Sequence, residues 1–388
     1  MRILYVSLSY IPSRRASSVQ VMNMCAALAA RGHEVTLLAK ESEEQAARDM
    51  RLHAFYKVPE TFVVEQLPRP KWRGGGFVYT GTVARRIAAA RASGDLVYSR
   101  DLAGASMAAA LGVPFVFEAH GVASAGWQRA LIKRFARARA CRGFVSISEA
   151  LRRDLIDQGL VPADLPHVVA HDACDAALGR APRAELSSPP RVGYVGNLYR
   201  GRGVELVFEL ARRMPAVRFE LVGGNEQDLA RVRGEGVPSN VVLHGFVAPA
   251  SLGTLYAQMD VLLLPHPKSG VRGATGGMDI SRWTSPMKMF EYMASGVPMI
   301  ASDLPVLGEV LTDGVNATIA PAGDAAAWQA SLERLLADPA TRVRQAVRAQ
   351  QDLRAEYTWS ARAARVMLGL GLERATAPTS AEPRRSAS

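Results

Sequence analysis

Short runs rich in Val, Ile and Leu alternate with helical patterns along nearly the whole chain, and this alternation limits the fold more than any other feature. A strand buried on both faces reads as a continuous apolar run, and each crossover between parallel strands needs a helix, so the pattern marks βαβ units. In the first half, strands are expected near Arg2–Ser9, Glu34–Lys40, Thr61–Gln66, Leu96–Arg100, Pro114–His120, Gly143–Ser148 and His167–His171. Helices are expected between them near Val19–Arg31, Phe77–Ala92, Trp127–Cys141 and Glu149–Asp157. From Asp175 to Pro190 the periodicity gives way to Ala-Pro-Arg, Ser-Ser and Pro-Pro, so 179–190 reads as a linker. A second series opens at Arg191–Gly196, with strands near Arg218–Val222, Val241–Phe246, Val261–Pro265, Pro298–Ser302 and Thr318–Ala320. Its helices fall near Val204–Arg213, Glu226–Arg233, Pro249–Gln258, Pro286–Ser295 and Asp324–Ala337, then Ala340–Glu356 and Ser360–Leu370. Residues 373–388, rich in Ala, Ser, Thr, Pro and Arg, read as a disordered tail.

The expected fold is therefore α/β, with two doubly wound parallel-sheet domains in series, residues 1–178 and 191–356. A chain of 388 residues, 48% hydrophobic, can fill two such cores. In open parallel sheets ligands bind beyond the carboxyl ends of the strands, so two facing sheets would share one cleft. No apolar run approaches the roughly 20 residues of a membrane span. The opening Met1-Arg-Ile-Leu-Tyr-Val-Ser-Leu-Ser reads as a buried strand rather than a signal peptide. Cys25, Cys141 and Cys174 have neither metal nor disulfide spacing, which suits a reducing, cytoplasmic setting. The net charge of +11 suits an anionic partner without choosing one. A nucleic-acid partner is not expected, because no recognition motif accompanies the charge.

Two segments carry the chemistry. In Thr284-Ser-Pro-Met-Lys-Met-Phe-Glu-Tyr-Met-Ala-Ser-Gly-Val-Pro298, Ser285 is a candidate N-cap, Pro286 fits the first turn and Gly296 the stop. The amides of Met287 and Lys288 would form an anion site at the helix start, reinforced by the Lys288 ammonium, with Glu291 one turn on. A plain i,i+3 surface pair of Lys288 with Glu291 is an equal alternative. In Tyr194-Val-Gly-Asn-Leu-Tyr-Arg-Gly-Arg-Gly203, Gly196, Gly201 and Gly203 would let backbone approach a ligand, and Arg200 and Arg202 would pair with phosphate oxygens. An ordinary strand-to-helix turn with solvated arginines is the alternative there.

Leu243-His-Gly-Phe246, the run from Leu255 to Pro265 and the run from Ser285 to Ser302 follow one another in order, then Glu309, Asp313-Gly314 and Pro321-Ala-Gly-Asp324. The amino half adds Arg31-Gly-His-Glu-Val35, Glu118-Ala-His-Gly121, Val145-Ser-Ile-Ser-Glu149 and His171-Asp-Ala-Cys-Asp175. As an ordered set, from Arg2 to about Met367, these resemble the retaining GT-B glycosyltransferases of family 4. The resemblance implies two Rossmann-like domains facing a cleft: an acceptor domain, 1–178, to which 357–371 crosses back near Trp359, and a nucleotide-sugar domain, 191–356. It implies transfer of a sugar from a nucleoside diphosphate-sugar to a hydroxyl of a glycan, a lipid-linked acceptor or a small molecule. Retention, no cofactor and no metal are further implications. Glu291 would hold the donor ribose, and the amides near Pro286 and Met287 the diphosphate. Gly196 and Asn197 would border the donor, Arg202 or Arg200 would be the loop cation, and His120 would lie beside the transferred sugar. Arg202, Lys288 and His120 are thus the expected catalytic residues.

Three positions depart from the family pattern. Trp283 stands at the first glutamate of the family's pair, for which Asp279 is a candidate substitute. Asn197 stands at an arginine, and Ser13-Arg-Arg-Ala-Ser-Ser18 replaces a Gly-Gly loop, so Arg14, Arg15 and Ser17 are candidates to touch donor phosphates or an anionic acceptor. His33, His171, His244 and His266 are expected to be structural. The basic helix from Trp127 to Arg142 would either pack its apolar stripe on the sheet or rest on the anionic inner face of a membrane. An epimerase, a phosphorylase or a nucleotide-sugar-binding protein without turnover are the alternative functions.

Overall fold

The structure, a computed structural model, describes residues 1–42, 51–68, 75–198, 201–247, 249–271 and 279–374. The first lobe runs β1 (Arg2–Ile11), α1 (Ala16–Ala30), β2 (Glu34–Glu41), α2 (Leu52–Tyr56), β3 (Val63–Leu67), α3 (Gly75–Ser93), β4 (Leu96–Ser99), α4 (Leu102–Leu111), β5 (Phe115–Ala119), α5 (Gly126–Ala136), β6 (Cys141–Ser146), α6 (Glu149–Asp157) and β7 (His167–Val169). Its seven strands are parallel in the order β3-β2-β1-β4-β5-β6-β7. The second lobe runs β8 (Arg191–Val195), α7 (Val204–Arg213), β9 (Arg218–Val222), α8 (Glu226–Gly234), β10 (Val241–Gly245), α9 (Pro249–Tyr256), β11 (Val261–Leu264), α10 (Met287–Ser295), β12 (Met299–Ser302), β13 (Thr318–Ala320), α11 (Ala325–Ala337), α12 (Pro339–Glu356) and α13 (Trp359–Gly369). Its six strands are parallel in the order β10-β9-β8-β11-β12-β13.

Alternate residues of each central strand enter opposite cores. In β1, Ile3 and Tyr5 pack on one face and Leu4 and Val6 on the other; in β11, Leu262 and Leu264 oppose Val261 and Leu263. This two-sided burial produces the continuous apolar runs in the sequence. Strand order reverses between β1 and β4 in one sheet and between β8 and β11 in the other, and each reversal opens a crevice beyond the carboxyl ends.

The sequence gives no sign of α4, because Leu-Ala-Gly-Ala-Ser-Met-Ala-Ala-Ala-Leu has no polar face to set a period. The helix is fixed by its ends: the Asp101 carboxylate accepts from Ala103 N and Gly104 N, and Gly112 closes it at φ +67°. The short α2 was likewise unmarked. The basic helix ends at Ala136, not Cys141, because β6 already begins at Cys141 beside Phe115. Glu373, the first residue of the expected tail, is tied to Arg31 and His33; residues 375–388 lie outside the described residues. Finally, α13 packs Trp359, Ala363, Val366 and Met367 into the first lobe's core against α1 and β7.

Candidate active site

The carboxyl ends of the two sheets meet. Arg14, beyond β1, stacks its guanidinium on Phe246, beyond β10, at 3.9 Å. Ser285, just before α10, accepts a hydrogen bond of 2.8 Å from Asp172 N of the first lobe.

At the second-lobe crevice, Lys288 rises from the first turn of α10. Its Nζ donates to Tyr194 Oη at 3.2 Å and lies 4.3 Å over that ring. A Cβ at Gly196 would sit 3.4 Å from Lys288 Cδ, so glycine keeps the end of β8 open to this side chain. Burial, then Arg202, pulls the Lys288 ammonium down to about 7, against the opposing pull of Glu291. Glu291 accepts from Tyr256 Oη at 3.1 Å; burial raises its pKa, opposed by that bond and by Lys288. His266, two residues beyond β11, is fully buried, and neither ring nitrogen has a hydrogen-bond partner among the described residues. Burial, then Lys288 and Arg202, hold it well below the usual imidazole range, so it is neutral. Two cations, a neutral imidazole and a helix start thus converge where strand order reverses. Such a group stabilises an anion, above all one whose charge grows during reaction.

At the first-lobe crevice the buried Glu118 carboxylate is the hub. It accepts from Gln20 Nε2 at 2.8 Å, from Tyr98 Oη, from Arg362 at 3.2 Å and from His120 Nε2 at 2.7 Å. Burial would raise the Glu118 pKa, but Arg362, then His120 and Arg100, outweigh it and keep the group ionised. Burial, then Arg100, lowers the pKa of His120, against Glu118. With Nε2 donating to a carboxylate, Nδ1 is left as the ring's acceptor. Such a nitrogen can take a hydrogen bond or a proton from a hydroxyl group.

A profile described as "Glycosyl transferases group 1" matches residues 189–338, and one described as "Glycosyltransferase Family 4" matches residues 17–171, together most of the chain. The chain belongs to the family 4, group 1 glycosyltransferases. Its fold is GT-B and its activity is glycosyl transfer from a nucleotide sugar. The glycogen synthase of Mycobacterium tuberculosis is 24% identical over 394 residues, covering 92% of each chain. The phosphatidyl-myo-inositol mannosyltransferase of Mycobacterium leprae is 26% identical over 235 residues, 58% of each. Anabaena HepE, solved with UDP and glucose, superposes with a TM-score of 0.71 at 18% identity, covering 96% of this chain and 100% of that one.

In this family 4 glycosyltransferase, Lys288, Glu291, Gly196 and Arg202 lie together in the second lobe, and His120 lies in the first. Asn197 is exposed, its carbonyl accepting from Tyr194 Oη at 2.8 Å. Arg200 lies outside the described residues. Ser285 does not cap α10: Pro286 holds the N-cap position, and the serine hydroxyl serves the other lobe. Gly201 and Gly203 approach protein rather than ligand; a side chain at 203, where φ is +81°, would collide with the Pro265 carbonyl. The Asp279 carboxylate turns the local loop, accepting from Gly270 N at 2.7 Å and Ser281 N at 2.9 Å. Trp283 itself joins the lobes: its Nε1 donates to Asp154 Oδ2 at 2.6 Å, beside Arg282 on the other oxygen at 2.8 Å.

Of the histidines expected to be structural, one sits within the cationic group and another helps to tie the two lobes together. His266 belongs to the cationic group, and a lone histidine after a proline gave no hint of it. His171 bonds Glu309 at 2.9 Å, and Glu309 also accepts from Glu149 N and Ala150 N at 2.7 and 2.9 Å, holding the start of α6 from the opposite lobe.

Proposed function

We propose that the donor's diphosphate lies against Arg202, Lys288 and the start of α10, with its ribose on Glu291 and its sugar reaching toward His120. The observation that carries this reading is the pair Arg202 and Lys288 beside neutral His266 at the strand-order reversal. As the glycosidic bond breaks, negative charge grows on the departing diphosphate, and fixed cations there lower the barrier. His120 Nδ1 would accept a hydrogen bond from a sugar hydroxyl or from the acceptor. Retention of anomeric configuration and the absence of a metal requirement follow from the family resemblance. A donor panel screened by thermal shift identifies the nucleotide sugar, since a bound donor raises apparent stability. With that donor, Arg202→Ala together with Lys288→Ala abolishes transfer while the melting temperature stays near that of the wild type. Near wild-type turnover in the double variant rejects the phosphate role. NMR of the fresh product reads retention directly.

Peripheral membrane contact has one supporting observation. Ile132 and Phe135 of α5 are buried on the sheet, but Trp127 is 64% exposed, with Lys133, Arg134 and Arg137 also at the surface. No helix among the described residues is long and apolar enough to cross a membrane. Co-sedimentation with anionic but not neutral vesicles, lost in Trp127→Ala, is the expected result; equal recovery with both rejects the contact.

A further inference from the structure

The start of α10, against which the donor's diphosphate is placed, has no cap of its own: Pro286 holds the N-cap position without a side-chain hydrogen bond. Its first amides are left for a ligand, so something other than a cap must fix where they stand. Three residues of the first lobe reach this stretch. Asp154 of α6 is buried and accepts from both residues that open the approach to α10, Trp283 Nε1 at 2.6 Å and Arg282 Nη2 at 2.8 Å. Ser148 caps α6 at Leu151 N, and the same hydroxyl donates to Trp283 O at 3.1 Å. Asp172 N donates to Ser285 Oγ at 2.8 Å.

Packing repeats the pattern. The Trp283 ring joins the first-lobe core that holds Leu151 and Leu155 of α6. Met287, the first residue of α10, packs against the core on the opposite face of the same sheet. Residues 283–287 therefore rest on both cores of the first lobe, although the chain runs on into the second. At Trp283 the family pattern has a glutamate; here an indole turned to the first lobe takes its place.

We infer that Asp154 is a positioning residue for the donor site: through Trp283 it sets where the α10 amides and Lys288 stand for the diphosphate. The inference rests on the donor reading above. Asp154 acts from the opposite lobe, so donor affinity reads how the two lobes are disposed. A misplacement of about 1 Å can cost roughly a hundredfold in rate, so a loosened approach to α10 is enough to weaken the site.

UDP, GDP and ADP are titrated calorimetrically into the wild type, and the tightest binder becomes the probe. Asp154→Ala should weaken it about tenfold. Asp154→Asn keeps an acceptor for the indole N–H and should bind near the wild-type level. Arg282→Ala removes only a partner that is 72% exposed, and should also bind near that level. Trp283→Phe should match Asp154→Ala, and the two together should weaken binding no further than either alone, because both break one link. Titrations run well below each variant's melting temperature keep lowered stability apart from lowered affinity. In turnover, the loss should appear in the donor's KM while the acceptor's KM stays unchanged. Wild-type affinity in Asp154→Ala, with only the melting temperature lowered, would make the contact merely structural and overturn the inference. Additive losses from Asp154→Ala and Trp283→Phe would do the same, as would an Asp154→Asn protein as weak as Asp154→Ala. Unchanged probe affinity in Arg202→Ala/Lys288→Ala, or no binding of any of the three nucleotides by the wild type, instead defeats the donor reading.

Discussion

With the donor placed as proposed, Lys288 should make nucleotide binding depend on pH in a direction the geometry fixes. Its ammonium has been lowered from 10.5 to about 7, by burial first and by Arg202 second. A bound diphosphate adds negative charge within reach of Nζ and favours the protonated form, moving the pKa back toward its ordinary value. Below about pH 7 the lysine is charged before and after binding, and affinity does not depend on it. Above that, binding must take up a proton, and affinity falls about tenfold per pH unit until the pKa of the complex is reached. Between about pH 7 and about pH 9 the loss is roughly a hundredfold. Calorimetry with UDP in two buffers of different ionisation enthalpy measures both effects, with proton uptake approaching one per UDP at the alkaline end. Lys288→Arg, which stays charged throughout, should remove the slope and the uptake. A flat affinity with no proton uptake in the wild type would refute contact between Lys288 and the diphosphate.

Arg362→Met leaves Glu118 buried without its main counter-charge and should cost about 3–5 kcal/mol in urea unfolding, part of it recovered by adding Glu118→Gln; a cost below about 1 kcal/mol would contradict this pairing. Glu309 contributes through pH. Burial raises its pKa, but His171 and the amides of Glu149 and Ala150 outweigh that and hold the carboxyl below 4.5, so its stabilisation is full above that value and is lost as pH falls through the lowered one. Unfolding free energy followed down in pH should show this acid loss in the wild type and a shallower one in Glu309→Gln. Trp283→Phe keeps most of the ring volume but orphans one oxygen of Asp154, and should cost about 1–3 kcal/mol in the same assay.

The parallel strands could be read from the sequence because both faces are buried, and each leaves an uninterrupted apolar run. Helix α4 could not, because small apolar residues all round give no contrast between faces. Lys288 and Glu291 could be found because one helix places them a turn apart, next to a recognisable start. His266 could not: its proximity to Lys288 and Arg202 is created by strand order, which brings together segments distant in the chain. Glu309 with α6 and Trp283 with Asp154 are likewise products of the lobes' meeting, and no local pattern encodes a partner on another domain. At Ser285 the residue type suggested a cap, but the hydroxyl is taken by a longer-range bond from Asp172.

The chain passes between its halves twice, once after Leu178 and once where α12 hands over to α13. Two pins restrain a door more than one does. Any opening movement must leave both crossings intact, which favours rotation about the line joining them over free tumbling of one half on a tether. For the same reason a cut in the linker would not release two finished pieces, since the later fragment would carry away a helix whose apolar side belongs to the earlier one.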